Sequence, residues 1–172
     1  MEVIVVPHDP TWSAKFSVEA IKLRQALGGL VIAIHHIGST SIAGIHAKPV
    51  IDILVEVNAI DDADASRDSI ANLDYEIMDE YGISGRRYYR KHNKFGGREF
   101  NVHVFAAGSA HIERHITFRD FMKAHSKFAA EYSELKLRLA HAHPHSIDGY
   151  MDGKDTFVKD FERRALEWWR ST

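Results

Sequence analysis

The chain contains no cysteine among its 172 residues. Disulfide bonds and thiolate metal sites are therefore excluded. No apolar run approaches the roughly 20 residues that a bilayer-spanning helix needs, so we expect no membrane partner. The N-terminal residues include an acid at Glu2 and lack a basic region followed by an apolar one, so no secretory signal is visible. We expect a soluble protein with a cytoplasmic location.

The composition is that of an ordinary globular protein, with 45% apolar and 27% charged residues. The length suits one domain, and we predict a single domain over residues 1–172. The net charge of −2 conceals a segregation of charge along the chain. Eight acids and one base lie between Asp61 and Glu80, whereas six bases and no acid lie between Tyr81 and Arg98. A basic segment of this kind can attract anionic partners.

Hydrophobic periodicity predicts an N-terminal helix, a small sheet and a C-terminal block of helices. Asp9-Pro10 is a favourable helix start, and Gly28-Gly29 ends the apolar stripe that follows it. Strands are predicted over residues 30–37, 50–57, 75–78, 86–91 and 98–105, a surface helix over 60–73, and helices beyond Gly108. This order predicts an α+β fold with a small mixed sheet.

The most informative stretch is HHIGSTSIAGIHAKPVIDILVEV, which occupies residues 35–57. A Gly38-Ser39 pair leaving a strand offers backbone amides and a hydroxyl to a phosphate group. If the next strand presents carboxylates, a divalent metal can bridge protein and phosphate, and nucleotidyl transfer becomes chemically accessible. On that strand Asp52, Leu54 and Glu56 point to the same face, so only two of the three positions carry an acid.

These residues resemble two known groups of proteins. The Gly-Ser pair followed by an Asp on a strand is similar to the nucleotidyltransferase superfamily. More closely, HIGSTSIAGIHAKPVIDILV, with NVHVF, FRDFMKAH and YSELKLRLA, resembles the GrpB family over nearly the whole chain. The resemblance implies a nucleotidyltransferase-like fold and a nucleotide or phosphorylated ligand. It also implies that Gly38 and Ser39 hold phosphates and that Asp52 is the first carboxylate for Mg²⁺ or Mn²⁺.

The chain departs from the superfamily pattern at the remaining metal ligands. Leu54 stands where the second carboxylate is usual, and the strand REFNVHVFA offers Glu99, Asn101 and His103 for the third. An imidazole suits zinc or manganese better than magnesium, and His103 is a candidate metal ligand or proton acceptor. Two hypotheses stay open: a metal-dependent nucleotidyltransferase, and a non-catalytic degenerate transferase fold that binds a nucleotide, RNA or protein.

Further cations are candidates for phosphate contacts. Lys48 precedes Pro49 in extended backbone, and either touches a phosphate or forms a salt bridge. Arg119 in FRDFMKAH is a candidate for bidentate phosphate binding, with a salt bridge to Asp120 as the alternative. Lys154 is another candidate.

Two other groups of residues suggest further partners. The basic segment from Arg86 to Arg98 interleaves cations with aromatic rings, which suits nucleic-acid binding; the alternative is a solvated hairpin whose aromatic rings complete the core. Twelve histidines include His111 and His115, four residues apart, and a cluster at residues 141–145. That spacing permits a metal site, although surface histidines are the expectation.

Overall fold

A computed structural model describes residues 2–172. The chain forms two compact units. The first, called the sheet unit, comprises Thr11–Ile37 and Val50–Ile112. The second, called the helical unit, comprises the residues up to Pro10, Gly38–Pro49 and Glu113–Thr172. The single domain predicted over residues 1–172, of which residue 1 lies outside the described part, stays a prediction.

The elements confirm the predicted α+β class, with a five-stranded mixed sheet and six α-helices among residues 2–172. The strands are β1 (Val31–Ile37), β2 (Ile51–Val57), β3 (Glu76–Ile77), β4 (Arg87–His92) and β5 (Arg98–Ala106). The helices are α1 (Thr11–Leu27), α2 (Ile60–Ala65), α3 (Arg67–Ala71), α4 (Ala110–Ala124), α5 (Ser126–Ala142) and α6 (Ile147–Ser171). Short 3₁₀ turns occupy Gly28–Leu30 and Ser39–Ser41.

The strands of the sheet unit lie in the order β1-β2-β5-β4-β3. Strands β2 and β5 are parallel, and the other neighbours are antiparallel. Strand β2 therefore has a partner on each side, as its continuous apolar run predicts. Its residues Ile53, Leu54 and Val55 are fully buried. The sheet positions polar residues of β2 and β5 side by side.

The helix predicted over 60–73 is two short helices in the structure. The chain breaks at Ser66, whose φ of −98° and ψ of 11° lie outside the helical range. The Ser66 hydroxyl donates to the Asp62 carbonyl at 3.3 Å. Such a local bond competes with regular helix geometry, which accounts for the break that apolar periodicity alone did not predict.

The helical unit has its own apolar core, drawn from the 39–49 segment and from α4, α5 and α6. Its buried members are Ile42, Ile45, Phe121, Met122, Ala129, Tyr132, Phe161 and Ala165. Aromatic rings stack within it, with centroid distances of 4.4 Å for Phe157–Phe161 and 5.3 Å for Tyr132–Phe157. Trp168 packs against this core, whereas Trp169 is half-exposed. No helix within residues 2–172 combines the length and apolar character needed to cross a membrane.

Candidate functional site

The parallel pairing of β2 with β5 gathers polar side chains on one face of the sheet unit. Asp52 lies opposite Asn101, and Leu54 lies opposite His103. Residues paired across neighbouring strands point to the same face, so Asp52, Asn101 and His103 are neighbours there. The other face carries Phe100 and Lys91, and α1 lies on that side because Lys91 Nζ is 2.9 Å from the Glu19 carboxylate.

A chain of hydrogen bonds links Asp52, His103 and Arg86. His103 Nε2 lies 3.2 Å from Asp52 Oδ1, and His103 Nδ1 lies 3.2 Å from Arg86 Nη1. A guanidinium has only donors, so Nδ1 accepts from Arg86. Nε2 therefore carries the proton and donates to the carboxylate. This assigns a neutral imidazole with its hydrogen on Nε2.

Arg86 is itself held rigidly. It is buried, and its guanidinium donates to the Glu80 carbonyl at 3.2 Å and to the Tyr81 carbonyl at 2.8 Å. It also lies over the Tyr88 ring, 4.7 Å from the centroid. Three fixed acceptors and a ring leave Arg86 little freedom, so it fixes the orientation of His103.

Asn101 supports the carboxylate from a second direction. Its Nδ2 donates to Asp52 Oδ1 at 3.3 Å, while its Oδ1 accepts from Tyr88 at 2.8 Å and from Arg98 at 2.9 Å. Burial raises the pKa of Tyr88, which keeps the phenol protonated as a donor. The two donors to the Asn101 oxygen orient the amide, so its NH₂ group points at Asp52.

Accessibility increases along the chain of hydrogen bonds toward the carboxylate. The side chain of Asp52 is 30% exposed, that of His103 is 13% exposed, and Arg86 is buried. A ligand approaching from solvent therefore meets Asp52 first. His103 is placed to orient Asp52, whereas a role as proton acceptor would require one of its nitrogens to change partner.

These side chains do not form a metal site by themselves. Within residues 2–172, no three His, Asp or Glu side chains gather in a geometry that holds a metal ion. Both nitrogens of His103 are engaged in hydrogen bonds, and Leu54 is fully buried. Asp52 is one hard oxygen ligand, and Mg²⁺ commonly combines one or two carboxylates with the phosphates of its substrate. The predicted Mg²⁺ or Mn²⁺ therefore fits here only with oxygens supplied by a ligand.

The other predicted phosphate-binding residues lie in the helical unit. Gly38 has φ 72° and ψ −174°, a conformation that only glycine adopts readily, and the 3₁₀ turn beginning at Ser39 follows it. The Ser41 hydroxyl and amide both bond to the Gly38 carbonyl. Lys48 Nζ lies 5.3 Å from the centroid of the Tyr150 ring. Arg119 Nε donates to the Asp120 carboxylate at 2.9 Å. This is the salt bridge expected as the alternative to phosphate binding.

Half of the cations in the basic segment from Arg86 to Arg98 are paired with carboxylates. Three of its six cations form ion pairs with acids, at 2.7 Å for Arg87–Asp64, 3.1 Å for Arg90–Glu76 and 2.9 Å for Lys91–Glu19. The adjacent Arg87 guanidinium lowers the pKa of Asp64. The hairpin tip is exposed at Phe95, while Tyr88 and Tyr89 are buried. These two tyrosines therefore complete the core, as the alternative to nucleic-acid binding predicts.

The histidine pair of α4 makes ring and side-chain contacts. His111 stacks on Phe105 at 5.1 Å, and His115 Nε2 lies 3.2 Å from Arg114. Neither histidine belongs to a metal-binding group among residues 2–172.

The sequence interpretation missed Arg86 as the partner of His103 and missed Lys136 altogether. Lys136 is buried in the helical unit on the face of α5 that carries Ala129, Tyr132 and Ser133. The neighbouring apolar residues Leu135 and Leu139 are only partly buried. The sequence did contain a signal. Lys136 lies four residues after Tyr132 and three after Ser133, so the three residues share one face of a helix.

Comparisons with known proteins give a consistent result. The family model described as "GrpB protein" matches residues 2–164. The chain is 41% identical to the UPF0157 protein YqkA of Bacillus subtilis over 97% of its own length, and it spans 48% of that relative. It is 32% identical to the glutamate-rich protein GrpB of Alkalihalophilus pseudofirmus, covering 92% of this chain and 93% of that protein. The crystal structure of the conserved protein GrpB from Enterococcus faecalis superposes with a TM-score of 0.92 at 40% identity, covering 96% of this chain and 99% of that one.

Proposed function

The chain belongs to the GrpB family, and we propose that it binds a nucleotide or another phosphorylated small molecule through the Asp52 carboxylate. The observation that carries the proposal is the ordered and accessible state of Asp52. Its Oδ1 accepts from His103 and Asn101 on the same face of the sheet. These donors fix the direction of an accessible carboxylate, and a fixed, accessible group is what recognition of a ligand requires.

The accessible Asp52 carboxylate is the group offered to the ligand. Two donors orient it through Oδ1, and the carboxylate would take a ligand hydroxyl or a metal ion that the ligand brings with it. His103 acts as a positioning residue in this proposal, held in one tautomer by Arg86. Asp52 would hold a Mg²⁺ or Mn²⁺ ion that the ligand brings, and the metal would supply positive charge to offset that of the phosphate.

Nucleotidyl transfer is the catalytic form of this proposal, and binding without turnover is its rival. The rival is favoured by Leu54, because a buried leucine supplies no oxygen where the superfamily pattern has a second carboxylate. One carboxylate holds a metal less firmly than two, and metal stabilisation of developing charge is worth several kcal/mol. Ligand binding is therefore the proposed function, and nucleotidyl transfer is a catalytic extension of it.

Isothermal titration calorimetry with ATP, GTP, CTP and UTP, each with and without Mg²⁺ or Mn²⁺, tests the proposal. We expect binding that depends on the metal and is weakened at least tenfold by Asp52→Asn, about 1.4 kcal/mol. Asp68→Asn is the matched control, because Asp68 is an exposed acid on α3. Absence of binding to the wild type, or equal binding by Asp52→Asn, would overturn the proposal.

The same titration separates the supporting residues. His103→Gln removes the hydrogen bond from the ring to Asp52, and we expect weaker binding with the same dependence on metal. Gly38, Ser39, Lys48 and Arg119 stay predictions as phosphate contacts, each tested by substitution alone. For the catalytic extension, release of pyrophosphate from the bound triphosphate is measured with candidate hydroxyl acceptors.

A further inference from the structure

Lys136 places a cationic side chain inside the helical unit without a hydrogen-bond partner. The residue is 1% exposed, and its Nζ makes no hydrogen bond to any of residues 2–172. The hydroxyl of Tyr150, a fully buried residue of α6, is equally unpartnered among those residues. Buried ammonium and hydroxyl groups are nearly always bonded, because a group that loses water without replacement destabilises the fold.

The surroundings of Lys136 are cationic and aromatic. Its Nζ lies over the Tyr132 ring, 4.4 Å from the centroid. Lys48 and Lys154 lie 5.3 Å and 5.2 Å from the centroid of the Tyr150 ring. Burial lowers the pKa of Lys136 to about 7, and the positive charges of Lys154 and Lys48 act in the same direction. Lys48 and Lys154 are thus close enough to Lys136 for their positive charges to disfavour its charged form.

A cluster of like charges around two unpartnered donors is the arrangement that a bound anion would complete. Ammonium groups are point donors that suit phosphate oxygens. Three segments of the helical unit supply four donors for an anion, since Lys48 precedes β2, Lys136 lies on α5, and Lys154 and Tyr150 lie on α6. Aromatic rings on two sides stabilise the ammonium groups when the anion is absent.

We propose that Lys48, Lys136 and Lys154, with the Tyr150 hydroxyl, form a binding site for the phosphate group of a small phosphorylated ligand. The site lies within the helical unit and does not require Asp52. It assigns a role to Lys136 and Tyr150 that the Asp52 proposal does not use. The two proposals can therefore fail separately.

Anion binding at this site takes up a proton. Near pH 7 about half of the Lys136 side chains are neutral in the free protein, and an adjacent anion favours the charged form. The groups facing Lys136 are Tyr132 on its own helix, Tyr150 and Lys154 on α6, and Lys48. Burial raises the pKa of Tyr150, so its phenol stays protonated across the neutral range. Affinity is therefore highest below pH 7 and falls as the pH rises above it.

Calorimetry with inorganic phosphate and with sulfate tests the site. Sulfate is the tetrahedral probe for the pH series, because its charge is constant between pH 6 and pH 8. We expect its Kd to be about tenfold larger at pH 8 than at pH 6, as the charged fraction of Lys136 falls about tenfold over that range. Lys136→Met should lose at least tenfold in affinity for both anions and should lose the pH dependence of the residual binding.

Matched variants distinguish this site from a general effect of positive charge. Lys159→Met removes an exposed lysine from the same helix as Lys154 and should leave binding unchanged. Lys154→Met should weaken binding even if Lys136→Met fails to fold. Asp52→Asn should retain the anion site, so its loss of nucleotide affinity reports on the sheet unit alone. Two results would overturn the proposal. One is the absence of phosphate or sulfate binding at 20–50 mM anion, roughly the upper range of a weak site. The other is equal binding by the wild type, Lys136→Met and Lys154→Met.

Discussion

Replacing Lys136 by methionine should stabilise the protein in the absence of anions. Methionine keeps most of the buried stem and removes only the ammonium group. Burial lowers the pKa of Lys136 from 10.5 to about 7. Each pKa unit corresponds to about 1.4 kcal/mol, so the charged group costs the folded state about 4 kcal/mol at pH 7. Lys136→Met should recover much of that free energy of unfolding.

The sign of the pH dependence follows from proton counting. Between about pH 7 and pH 10.5 the unfolded chain holds the Lys136 proton and the folded chain does not. Stability of the wild type therefore rises with pH over this window relative to the variant. The advantage of Lys136→Met should shrink by about 2 kcal/mol between pH 7 and pH 9. Below pH 7 the advantage should be nearly constant.

Urea unfolding in a buffer free of phosphate and sulfate, at pH 7, 8 and 9, measures the difference. With an m value of about 2 kcal/mol/M, a gain of about 4 kcal/mol moves the midpoint by about 2 M at pH 7. Lys159→Met is the control, since Lys159 is exposed and pairs with Asp155 on the surface. Parallel pH profiles for the wild type and Lys136→Met would refute the reasoning, because they would mean that Lys136 keeps its ordinary pKa.

Three further substitutions test the supports of the two units by urea unfolding. Gly38→Ala should cost about 1–3 kcal/mol, because φ 72° with ψ −174° is strained for a side chain; Gly29→Ala, which meets open space without a positive φ, should change stability by less than about 0.5 kcal/mol. Arg86→Met should cost about 2–4 kcal/mol, because two carbonyls and the His103 ring lose the donor that the buried guanidinium supplies; a neutral result would mean that solvent replaces it. Glu19→Gln should cost about 3 kcal/mol by leaving Lys91 without its buried counter-charge, whereas exposed Glu167→Gln should be silent.

The charge segregation along the chain has a structural cause that needs no external partner. Acids of residues 61–80 face bases of residues 81–98 across β3, β4 and the adjoining helices. Arg87 with Asp64 and Arg90 with Glu76 are pairs of this kind. Exposed ion pairs contribute little stability individually, but they lower the net positive field of the hairpin. Nucleic-acid binding through residues 86–98 therefore has fewer available cations than the sequence predicts.

Local patterns in the sequence were sufficient for most of the fold. The Asp9-Pro10 start, the glycine end and the apolar stripe predicted α1, which runs over Thr11–Leu27 and is followed by Gly28 at φ 65°. Alternating and continuous apolar runs predicted all five strands, and Gly108 marked the beginning of the helical block. These features depend on the preferences of neighbouring residues, which a single sequence records.

The sequence by itself determined the α+β class and the family, and it predicted Asp52, the carboxylate after the Gly-Ser turn, as a site residue. Only the tertiary structure decided which residues support Asp52. His103 lies 51 positions further along the chain, and Arg86 reaches it from before β4. Lys136 differs from an ordinary helical lysine only because α5 turns it inward toward Tyr132. Strand register and helix packing set these contacts, and both arise from the sum of many distant interactions that no local pattern encodes.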